Sequence, residues 1–294
     1  MGQNALIAAV KKAATEKLNP AGEKYLSLIV ADSERLAGDC RVPIRQVERT
    51  ALEAEITPER YQRSIGTVGL RGQIKLLEAT VGVFGAGGLG GFVLELLARM
   101  GVGQLVVVDG DVFSDSNLNR QLLATERTLG MPKVKAAAER IKAVNNTIGV
   151  ETHHCRGDAG NLPGIFGQCD LVIDCLDNLP SRYELEKVCQ KLNITLIHGA
   201  IGGFLGQLAV IRPGRPLISA IYGSDAGDGS VKGVEVQLGN PATTPAMLAA
   251  WQANEAIKIL AGLENMDNQG SIIENNPPAF PVTFDTQSII PRFF

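Results

Sequence analysis

The sequence predicts an α/β protein with a doubly wound, mainly parallel β-sheet. From about residue 79, short apolar runs alternate with amphipathic stretches, which is typical of strands that alternate with helices. Glycine accounts for 33 of the 294 residues, about 11% where about 7% is usual. A glycine-rich turn follows the first apolar run of this region and precedes an amphipathic stretch. Together these observations indicate a Rossmann-like fold.

The composition excludes several classes of protein. Hydrophobic residues make up 45% of the chain and charged residues 20%, as in globular rather than disordered proteins. The net charge of −3 provides no general attraction to nucleic acid or anionic lipid. No apolar run approaches the roughly 18 residues of a membrane span. We therefore expect a cytoplasmic protein that binds neither membrane nor nucleic acid.

The five cysteines are odd in number and form no C-x-x-C pair. Neither a disulfide framework nor a zinc site is therefore predicted, and a reducing compartment is favoured. Cys175 lies in an apolar run and Cys189 in an amphipathic stretch. Both are expected to be inert residues of the core.

Residues 1–56 are predicted to form an N-terminal helical extension, separate in character from the rest. Asn19-Pro20 is expected to start a helix, with Asn as its cap and Pro at the first position. That helix is expected to end near Gly38, and its apolar residues recur at helical spacing: Leu26, Ile29, Val30 and Leu36. Thr57-Pro58 is expected to start a second helix. The extension is interpreted as a packing or docking arm.

The central domain is predicted to span residues 57–262. Its parallel strands are expected at the apolar runs 81–84, 105–108, 150–153, 171–175 and 194–197. The helices between them are expected at 89–100, 134–144, about 160–166 and 180–192. Right-handed crossovers then place helices on both faces of the sheet.

The C-terminal side of this domain departs from the parallel pattern. A strand at 207–211 follows Gly202-Gly203 after a connection too short for a parallel crossover, so it is expected to be antiparallel. Residues 212–242 lack periodicity and are predicted to form a long loop. A helix at 245–261 closes the domain, and the proline-rich tail 263–294 is expected to lie extended over a surface.

A nucleotide-binding turn is predicted at residues 85–90, Gly-Ala-Gly-Gly-Leu-Gly. Glycines between a strand and a helix let the backbone approach a phosphate, which then lies at the positive N-terminus of the helix. Asp109 ends the next strand, 19 residues beyond Gly90, where a carboxylate can accept bonds from ribose hydroxyls. The alternative is that the glycines serve only close helix–strand packing. The motif leaves NAD and ATP both open.

Two cations near this turn favour ATP over NAD. Arg120 lies in the segment Asn117-Leu118-Asn119-Arg120-Gln121, and Lys133 follows Gly130-Met131-Pro132. Backbone N–H groups suffice for a dinucleotide's pyrophosphate, whereas a triphosphate carries about four negative charges and requires cations. Lys133 is expected to be an exposed phosphate ligand that contributes little to folding. The alternative is that both are ordinary solvated side chains.

A magnesium site is predicted at Asp177. The apolar run 171–175 is followed by Leu176-Asp177-Asn178, so Asp177 emerges at the edge of the sheet where nucleotides bind. A carboxylate there commonly holds Mg²⁺ that bridges phosphate oxygens. The alternative role for Asp177 is as the N-cap of the next helix. Asp174, within the strand, is interpreted as structural, as is His198 at the end of another strand beside Gly199.

An ordered set of segments resembles the ThiF/MoeB/HesA family, which is related to the ubiquitin-activating enzymes. The resemblance covers about residues 58–262, in order and at matching spacing. Its parts are the glycine turn, Asp109 and these segments: Arg60-Tyr61-Gln62-Arg63, Asn-Leu-Asn-Arg-Gln at 117–121, Gly-Met-Pro-Lys at 130–133, Asp-Cys-Leu-Asp-Asn at 174–178, and Gln-Ala-Asn-Glu-Ala-Ile-Lys at 252–258.

The resemblance implies a site for ATP and Mg²⁺. The residues that match the family's nucleotide site are Gly85, Gly87, Gly88, Gly90, Asp109, Asn117, Arg120, Gln121, Lys133, Asp177 and Asn178. Asp177 matches the aspartate associated with the metal. Arg63 matches an arginine that reaches the triphosphate from the other subunit of a homodimer. The residues implied in catalysis are Asp177, Arg63, Arg120 and Lys133.

The implied reaction is adenylation of a small ubiquitin-like sulfur-carrier protein of the ThiS or MoaD type. The carboxylate of its C-terminal Gly-Gly attacks the α-phosphate of ATP, giving an acyl-adenylate and pyrophosphate. The enzyme aligns this attack and neutralises the leaving pyrophosphate, and it needs no base. Because this chain has no cysteine after Cys189, the family's zinc site and its covalent cysteine intermediate are not expected.

Other functions remain open from the sequence. ATP activation of a different acceptor, a peptide terminus or a tRNA base modification, uses the same nucleotide site. An NAD-dependent oxidoreductase would use the glycine turn and Asp109 but leaves Arg120, Lys133 and Asp177 without a function. A degenerate scaffold would retain the fold only for dimerisation.

Overall fold

A computed structural model describes residues 3–223 and 238–263, together with the backbone of Val282–Asp285. The described chain contains a small three-stranded sheet near the N-terminus and a seven-stranded sheet that forms the centre of the protein. A separate apolar core lies under each face of the larger sheet, and a third core lies within the N-terminal unit.

The N-terminal unit is mixed α/β, not wholly helical as expected. The order of its strands is β1-β2-β3, with β1 and β2 antiparallel and β2 and β3 parallel. Its elements are α1 (Gln3–Ala13), β1 (Thr15–Leu18), β2 (Lys24–Leu28), α2 (Val30–Cys40), α3 (Ile44–Glu53) and β3 (Ile56–Pro58).

The predicted helix start at Asn19-Pro20 is wrong, because these residues form the turn of the β1–β2 hairpin. The side-chain oxygen of Asn19 accepts the backbone N–H groups of Ala21 at 3.0 Å and Glu23 at 2.9 Å. Asn before Pro serves a turn as well as a helix cap, and only the strand pairing distinguishes the two. The helix begins instead at Val30.

The predicted helix start at Thr57-Pro58 is also wrong. Both residues belong to β3, and a 3₁₀ turn at Glu59–Tyr61 leads into α4 (Gln62–Glu78). Parallel pairing of β3 with β2 extends the backbone there. The pyrrolidine ring of Pro58 fits because β3 is an edge strand of this sheet.

The seven-stranded sheet is doubly wound, as predicted, and its strand order is β10-β9-β8-β7-β4-β5-β6. Its strands are β4 (Thr80–Phe84), β5 (Gln104–Val108), β6 (Gly149–His153), β7 (Leu171–Asp174), β8 (Thr195–Gly202), β9 (Leu205–Ile211) and β10 (Val282–Asp285). The strands β4 to β8 pair in parallel, and β9 pairs antiparallel to β8, as the short glycine connection predicted.

Helices cover both faces of this sheet. One face packs against α4, α5 (Gly88–Arg99), α6 (Lys133–Val144) and α10 (Thr243–Ala261). The other face packs against α7 (Leu162–Phe166), α8 (Leu179–Leu192) and α9 (Ile218–Tyr222). The predicted core helices are thus confirmed to within a few residues at each end.

The two C-terminal expectations are met only in part. The region 212–242, expected to be a loop throughout, contains α9, and residues 224–237 lie outside the described part. In the tail, Val282–Asp285 forms β10, which pairs antiparallel to β9, and residues 264–281 and 286–294 lie outside the described part. Among the residues that the structure describes, no helix is long and apolar enough to cross a membrane.

Buried polar side chains join the N-terminal unit to the central domain. Glu48 of α3 is fully buried and forms an ion pair with Arg60 at 3.2 Å. Arg60 also donates to the side chain of Asn145, which donates to the hydroxyl of buried Tyr61 at 3.0 Å. Burial raises the pKa of the Glu48 carboxyl, and the positive charge of Arg60 opposes that shift. Arg60 therefore compensates a carboxylate that would otherwise be buried without a partner charge.

Replacement of Arg60 by Met should lower the free energy of unfolding by about 3–5 kcal/mol, because it leaves the Glu48 carboxylate buried and unpaired. Without Arg60 the pKa of Glu48 rises further above its ordinary value of 4.5. The folded state then binds more protons than the unfolded state, so the loss should be larger at about pH 8 than at about pH 5. Urea denaturation at both pH values measures this.

Arg49→Met is the matched control, since Arg49 lies beside Glu48 on α3 and its ion pairs with Glu53 and Glu78 are exposed. This substitution should lower the free energy of unfolding by less than about 1 kcal/mol. Equal losses for Arg60→Met and Arg49→Met would show that the Glu48–Arg60 pair does not hold the junction.

Candidate nucleotide-binding site

The predicted site residues, apart from Arg63, lie at or just beyond the carboxyl ends of β4, β5 and β7. The glycine turn connects β4 to α5 and packs against the end of β7. Gly85 has φ 98°, and a Cβ there would lie 2.5 Å from the carbonyl oxygen of Cys175. A Cβ on Gly90 would lie 1.8 Å from the carbonyl oxygen of Gly85. Packing alone thus requires these two glycines, and their contact with a nucleotide stays a prediction.

Gly87 and Gly88 lie where the turn opens. Gly87 is the N-cap of α5, and no described side chain caps this helix. Since the first N–H groups of an α-helix have no intrahelical partner, they are available to an anion. A Cβ on Gly88 would lie 3.9 Å from Cγ of Arg120, and one on Gly87 would lie 3.5 Å from Nε2 of Gln121. The structure therefore brings the predicted Arg120 and Gln121 against the turn.

Asp109 holds the glycine turn in place, a role that the sequence did not reveal. Its carboxylate accepts the backbone N–H of Ala86 at 2.7 Å and that of Asp111 at 2.8 Å. The residue is buried, and burial raises the pKa of its carboxyl, while the N–H of Ala86 and the charge of Lys133 oppose the shift. Its predicted contact with a ribose would add to these bonds.

Lys133 is not the exposed side chain that was expected. It is the first residue of α6 and is only 7% exposed, and its Nζ lies 2.9 Å from the carboxylate of Asp111. The stem of Lys133 is thus fixed by packing, with its charge directed to the loop that follows β5. A cation held in this way is pre-positioned for an anionic ligand, because little side-chain freedom remains to be lost on binding.

Asn117 and Arg120 organise the loop after β5. The side-chain oxygen of Asn117 accepts the backbone N–H of Ser114 at 3.0 Å, in a capping box around the 3₁₀ turn Asp115–Asn117. The guanidinium of half-buried Arg120 donates to the carbonyl of Ser116 at 2.7 Å. Gln121 is buried, and its Oε1 has no hydrogen-bond partner among the described residues. Such an orphan acceptor beside a glycine turn fits a donor of a bound ligand.

Asp177 is exposed just beyond the end of β7, and its Oδ1 accepts from the side chain of Asn178 at 3.3 Å. The N-cap of α8 is Asn178 rather than Asp177, because the amide oxygen of Asn178 accepts the backbone N–H of Ser181 at 3.0 Å. The alternative role for Asp177 is therefore wrong. Its carboxylate lies at the correct edge of the sheet for a magnesium ligand.

Arg63 is not brought to this site within one chain. It is exposed near the start of α4, where its charge acts on Tyr25 of β2 and lowers the pKa of that phenol, against a larger rise from burial. A role for Arg63 at the triphosphate therefore depends on a second subunit.

The residues present fit ATP with Mg²⁺. An uncapped helix N-terminus, Arg120 and Lys133 offer donors and positive charge to phosphates, and Gln121 offers an orphan acceptor. Among the described residues, no group of three or more His, Cys, Asp or Glu side chains forms a metal cage. A single exposed carboxylate suits Mg²⁺, which takes its other ligands from phosphate and water.

The family is established by comparison with known proteins. The model of the ThiF family matches residues 61–287. The chain belongs to the ThiF family. This confirms the resemblance to ThiF, MoeB and HesA that the ordered motifs indicated, and this ThiF domain begins where the N-terminal unit ends.

Two curated relatives show how far the similarity extends. The SAMP-activating enzyme E1 of Haloferax volcanii is 38% identical over 204 residues, which are 69% of this chain and 75% of that protein. The adenylyltransferase and sulfurtransferase MOCS3 of Arabidopsis thaliana is 35% identical over 222 residues. That match covers 71% of this chain but 46% of MOCS3, so the ThiF chain spans about half the length of this second relative.

Solved structures share the fold at low sequence identity. E. coli MccB with ATP has a TM-score of 0.64 at 19% identity and covers 87% of this chain and 79% of MccB. Residues 61–294 alone do not reach that share, so the common fold includes part of the N-terminal unit. E. coli TcdA has a TM-score of 0.58 at 22% identity and covers 70% of this chain and 95% of TcdA.

Cys175 and Cys189 of the ThiF domain are confirmed as core residues. Both side chains are buried, and burial raises the pKa of the Cys189 thiol to about 12 and that of Cys175 in the same direction. Since the thiolate is the nucleophile, neither cysteine is suited to attack an acyl-adenylate in this conformation.

Replacement of Gly90 by Ala should lower the free energy of unfolding by about 3 kcal/mol or more, because the new Cβ meets the backbone of Gly85. Gly66→Ala is the matched control. Gly66 lies in α4 with nothing within 4 Å of an added Cβ, so the substitution should stabilise the protein by about 0.5–1 kcal/mol. Urea denaturation of both variants tests the fit of the turn, and a neutral Gly90→Ala would contradict it.

Proposed function

We propose that this protein is an ATP-dependent adenylyltransferase. It activates the C-terminal glycine carboxylate of a small ubiquitin-like sulfur-carrier protein of the ThiS or MoaD type. The observation that supports this most is the meeting of an uncapped helix N-terminus with Arg120 and the buried-stem Lys133 at one edge of the sheet. The names of two relatives, a SAMP-activating enzyme and an adenylyltransferase, agree with it.

Each residue of the site has a distinct task in this proposal. The N–H groups of the glycine turn bind phosphate oxygens, and Asp109 lies near the ribose. Arg120 and Lys133 neutralise the pyrophosphate that leaves. Asp177 holds Mg²⁺, which supplies further positive charge to the phosphates.

The reaction requires alignment rather than proton abstraction. An oxygen of the ionised glycine carboxylate forms a bond to the α-phosphorus of ATP as the bond from that phosphorus to the bridging oxygen breaks. Pyrophosphate leaves with the electron pair, and Arg120 and Lys133 stabilise its charge. No proton is transferred, in agreement with a described site that offers cations and backbone donors.

The other candidate functions fit the site less well. An NAD-dependent oxidoreductase gives no task to the two cations. A tRNA acceptor is disfavoured by the net charge of −3, since affinity for nucleic acid depends on basic side chains. A protein or peptide acceptor is therefore preferred.

Lys133→Met should lower ATP–pyrophosphate exchange, measured with a Gly-Gly carrier protein, by about 100-fold, because one charge at the leaving group is lost. The free energy of unfolding should fall by less than about 2 kcal/mol. Met retains the apolar stem and Asp111 is exposed, although the charge of Lys133 that favours the ionised, buried Asp109 is lost. Exchange assays and urea denaturation on the same preparation separate the two effects.

Lys135→Met is the control, because Lys135 is an exposed residue of the same helix. Its exchange rate should match that of the unmodified protein. If both Lys variants lose activity equally, or if Lys133→Met loses stability in proportion to activity, Lys133 is not a phosphate ligand.

We further propose a homodimer in which Arg63 of one subunit reaches the triphosphate bound by the other. Mixing Arg63→Ala with Asp177→Ala subunits should then restore part of the exchange activity that each variant alone lacks. Random pairing makes about half of the dimers heterodimers, and each heterodimer contains one site with both residues intact. About a quarter of the activity of the unmodified protein is therefore expected.

Size-exclusion chromatography with light scattering must show that the mixed subunits exchange. A mixed dimer as inactive as its parents would contradict the contribution of Arg63 in trans, while leaving the tasks of Lys133 and Arg120 untouched.

A further inference from the structure

A buried ion-pair network lies directly behind the loop that carries Asp177. Asp174 ends β7 and His198 lies in β8, and neither side chain is exposed to solvent. Nδ1 of His198 lies 2.6 Å from Oδ2 of Asp174. Neither residue has a task in the adenylation mechanism, although burial of an aspartate and a histidine between parallel strands is costly.

The chemistry of the partners assigns the protons of His198. A carboxylate only accepts, so Nδ1 donates to Asp174. Burial lowers the pKa of His198, which favours the neutral ring. Nε2 then accepts from the hydroxyl of Tyr222 at 3.0 Å, a shorter contact than the 3.4 Å from that hydroxyl to Oε1 of Gln207. The rings of His198 and Tyr222 meet edge to face, with centroids 5.7 Å apart. Both nitrogens of the imidazole are therefore fixed in direction.

Asp174 transmits this arrangement to the Asp177 loop. While Oδ2 accepts from His198, Oδ1 accepts the backbone N–H of Leu176 at 2.9 Å. The guanidinium of Arg182 lies 3.5 Å from Oδ2 of Asp174 and donates to the carbonyl of Leu176 at 2.5 Å. Both backbone polar groups of Leu176 are thus held by the network, and Leu176 immediately precedes Asp177.

We propose that His198 is a positioning residue for Asp177: through Asp174 it fixes the backbone of Leu176 and thereby the direction of the carboxylate that holds Mg²⁺. This rests on the proposed function, which assigns the metal to Asp177. Residues that orient a metal ligand commonly change metal affinity by about 10- to 100-fold when they are removed.

Two substitutions of His198 separate positioning from packing. His198→Leu fills the space but removes the donor to Asp174. His198→Asn leaves more empty space but keeps an N–H donor the same number of bonds from Cβ as Nδ1. A merely structural role predicts that Asn is the worse replacement, whereas a positioning role predicts that Asn restores what Leu loses.

The measurement is the affinity for ATP by isothermal titration calorimetry, with magnesium and then with EDTA. The dissociation constant in EDTA divided by that in magnesium, here called the magnesium ratio, reports the contribution of the metal. His198→Leu should reduce this ratio about tenfold, and His198→Asn should restore most of it. ATP affinity in EDTA should be unchanged in both variants. Hydrogen exchange of the segment 171–178, without ATP or magnesium, should be faster in His198→Leu and near normal in His198→Asn.

Gln73→Leu is the control for the loss of a buried polar group. Gln73 is fully buried and donates to the carbonyl of Met100 at 2.9 Å, away from the Asp177 loop. It should lower the unfolding temperature without altering the magnesium ratio. If His198→Leu does not fold, Tyr222→Phe removes the hydroxyl that fixes Nε2. It should reduce the ratio by less than the roughly tenfold expected for His198→Leu, about threefold, because the bond from His198 to Asp174 remains.

Asp177→Ala distinguishes a failure of the metal assignment from a failure of the inference about His198. If Asp177→Ala abolishes the magnesium ratio while His198→Leu, or Tyr222→Phe in its place, leaves it unchanged, the inference about His198 is overturned and the metal site stands. If Asp177→Ala itself leaves the ratio unchanged, both the metal assignment and the inference are overturned. A His198→Asn variant no better than His198→Leu also overturns the positioning role.

Discussion

The carboxylate of Asp109 is the interaction on which the candidate site depends. It binds the N–H of Ala86 in the glycine turn and the N–H of Asp111 in the loop after β5. Two neighbouring strand ends are thereby fixed to each other. The loop after β5 carries Arg120 and leads to Lys133, the first residue of α6. These N–H bonds offset part of the desolvation of the buried carboxylate, whose pKa is still raised. Loss of Asp109 would remove the bond that holds the glycine turn, and Arg120 and Lys133 would then lie beside a disordered turn.

Some elements of this fold are predictable from sequence because their pattern fits a single structure, and others are not because their pattern fits two. Apolar runs of the core appear as strands because burial on both faces requires continuous Val, Leu and Ile, as at Leu105–Val108 within β5. The antiparallel β9 was predictable since chain length excludes a crossover after Gly202. Asn19-Pro20 was not predictable in the same way. Its local signal fits a helix cap and a turn equally, and the pairing of β1 with β2 decides between them.

For the candidate site too, the sequence indicates which residues to consider, whereas their contacts are known only from the structure. Sequence alone identifies Asn117, Lys133 and Asn178, and the structure supplies what each does locally. Asn117 and Asn178 accept backbone N–H groups at the start of helical turns, and Lys133 is buried beside Asp111. His198 and Tyr222 are 24 residues apart, and no spacing rule joins them. Contacts set by the packing of β8 against α9 leave no periodic signal in the sequence.

Three aspartates near one edge of the sheet differ in burial and in the groups that compensate their charge. This difference explains how acidic side chains coexist with a site for phosphates. Asp109, directly after β5, and Asp174, the last residue of β7, each accept the backbone N–H two residues further on. Both are buried, and their charge is compensated by N–H groups, by His198 or by Arg182. Asp111 and Asp177 are exposed, but Asp111 is paired with Lys133 at 2.9 Å, so Asp177 is left to meet a different cation. At Asp177, a divalent metal would reverse the sign of the charge that faces the triphosphate.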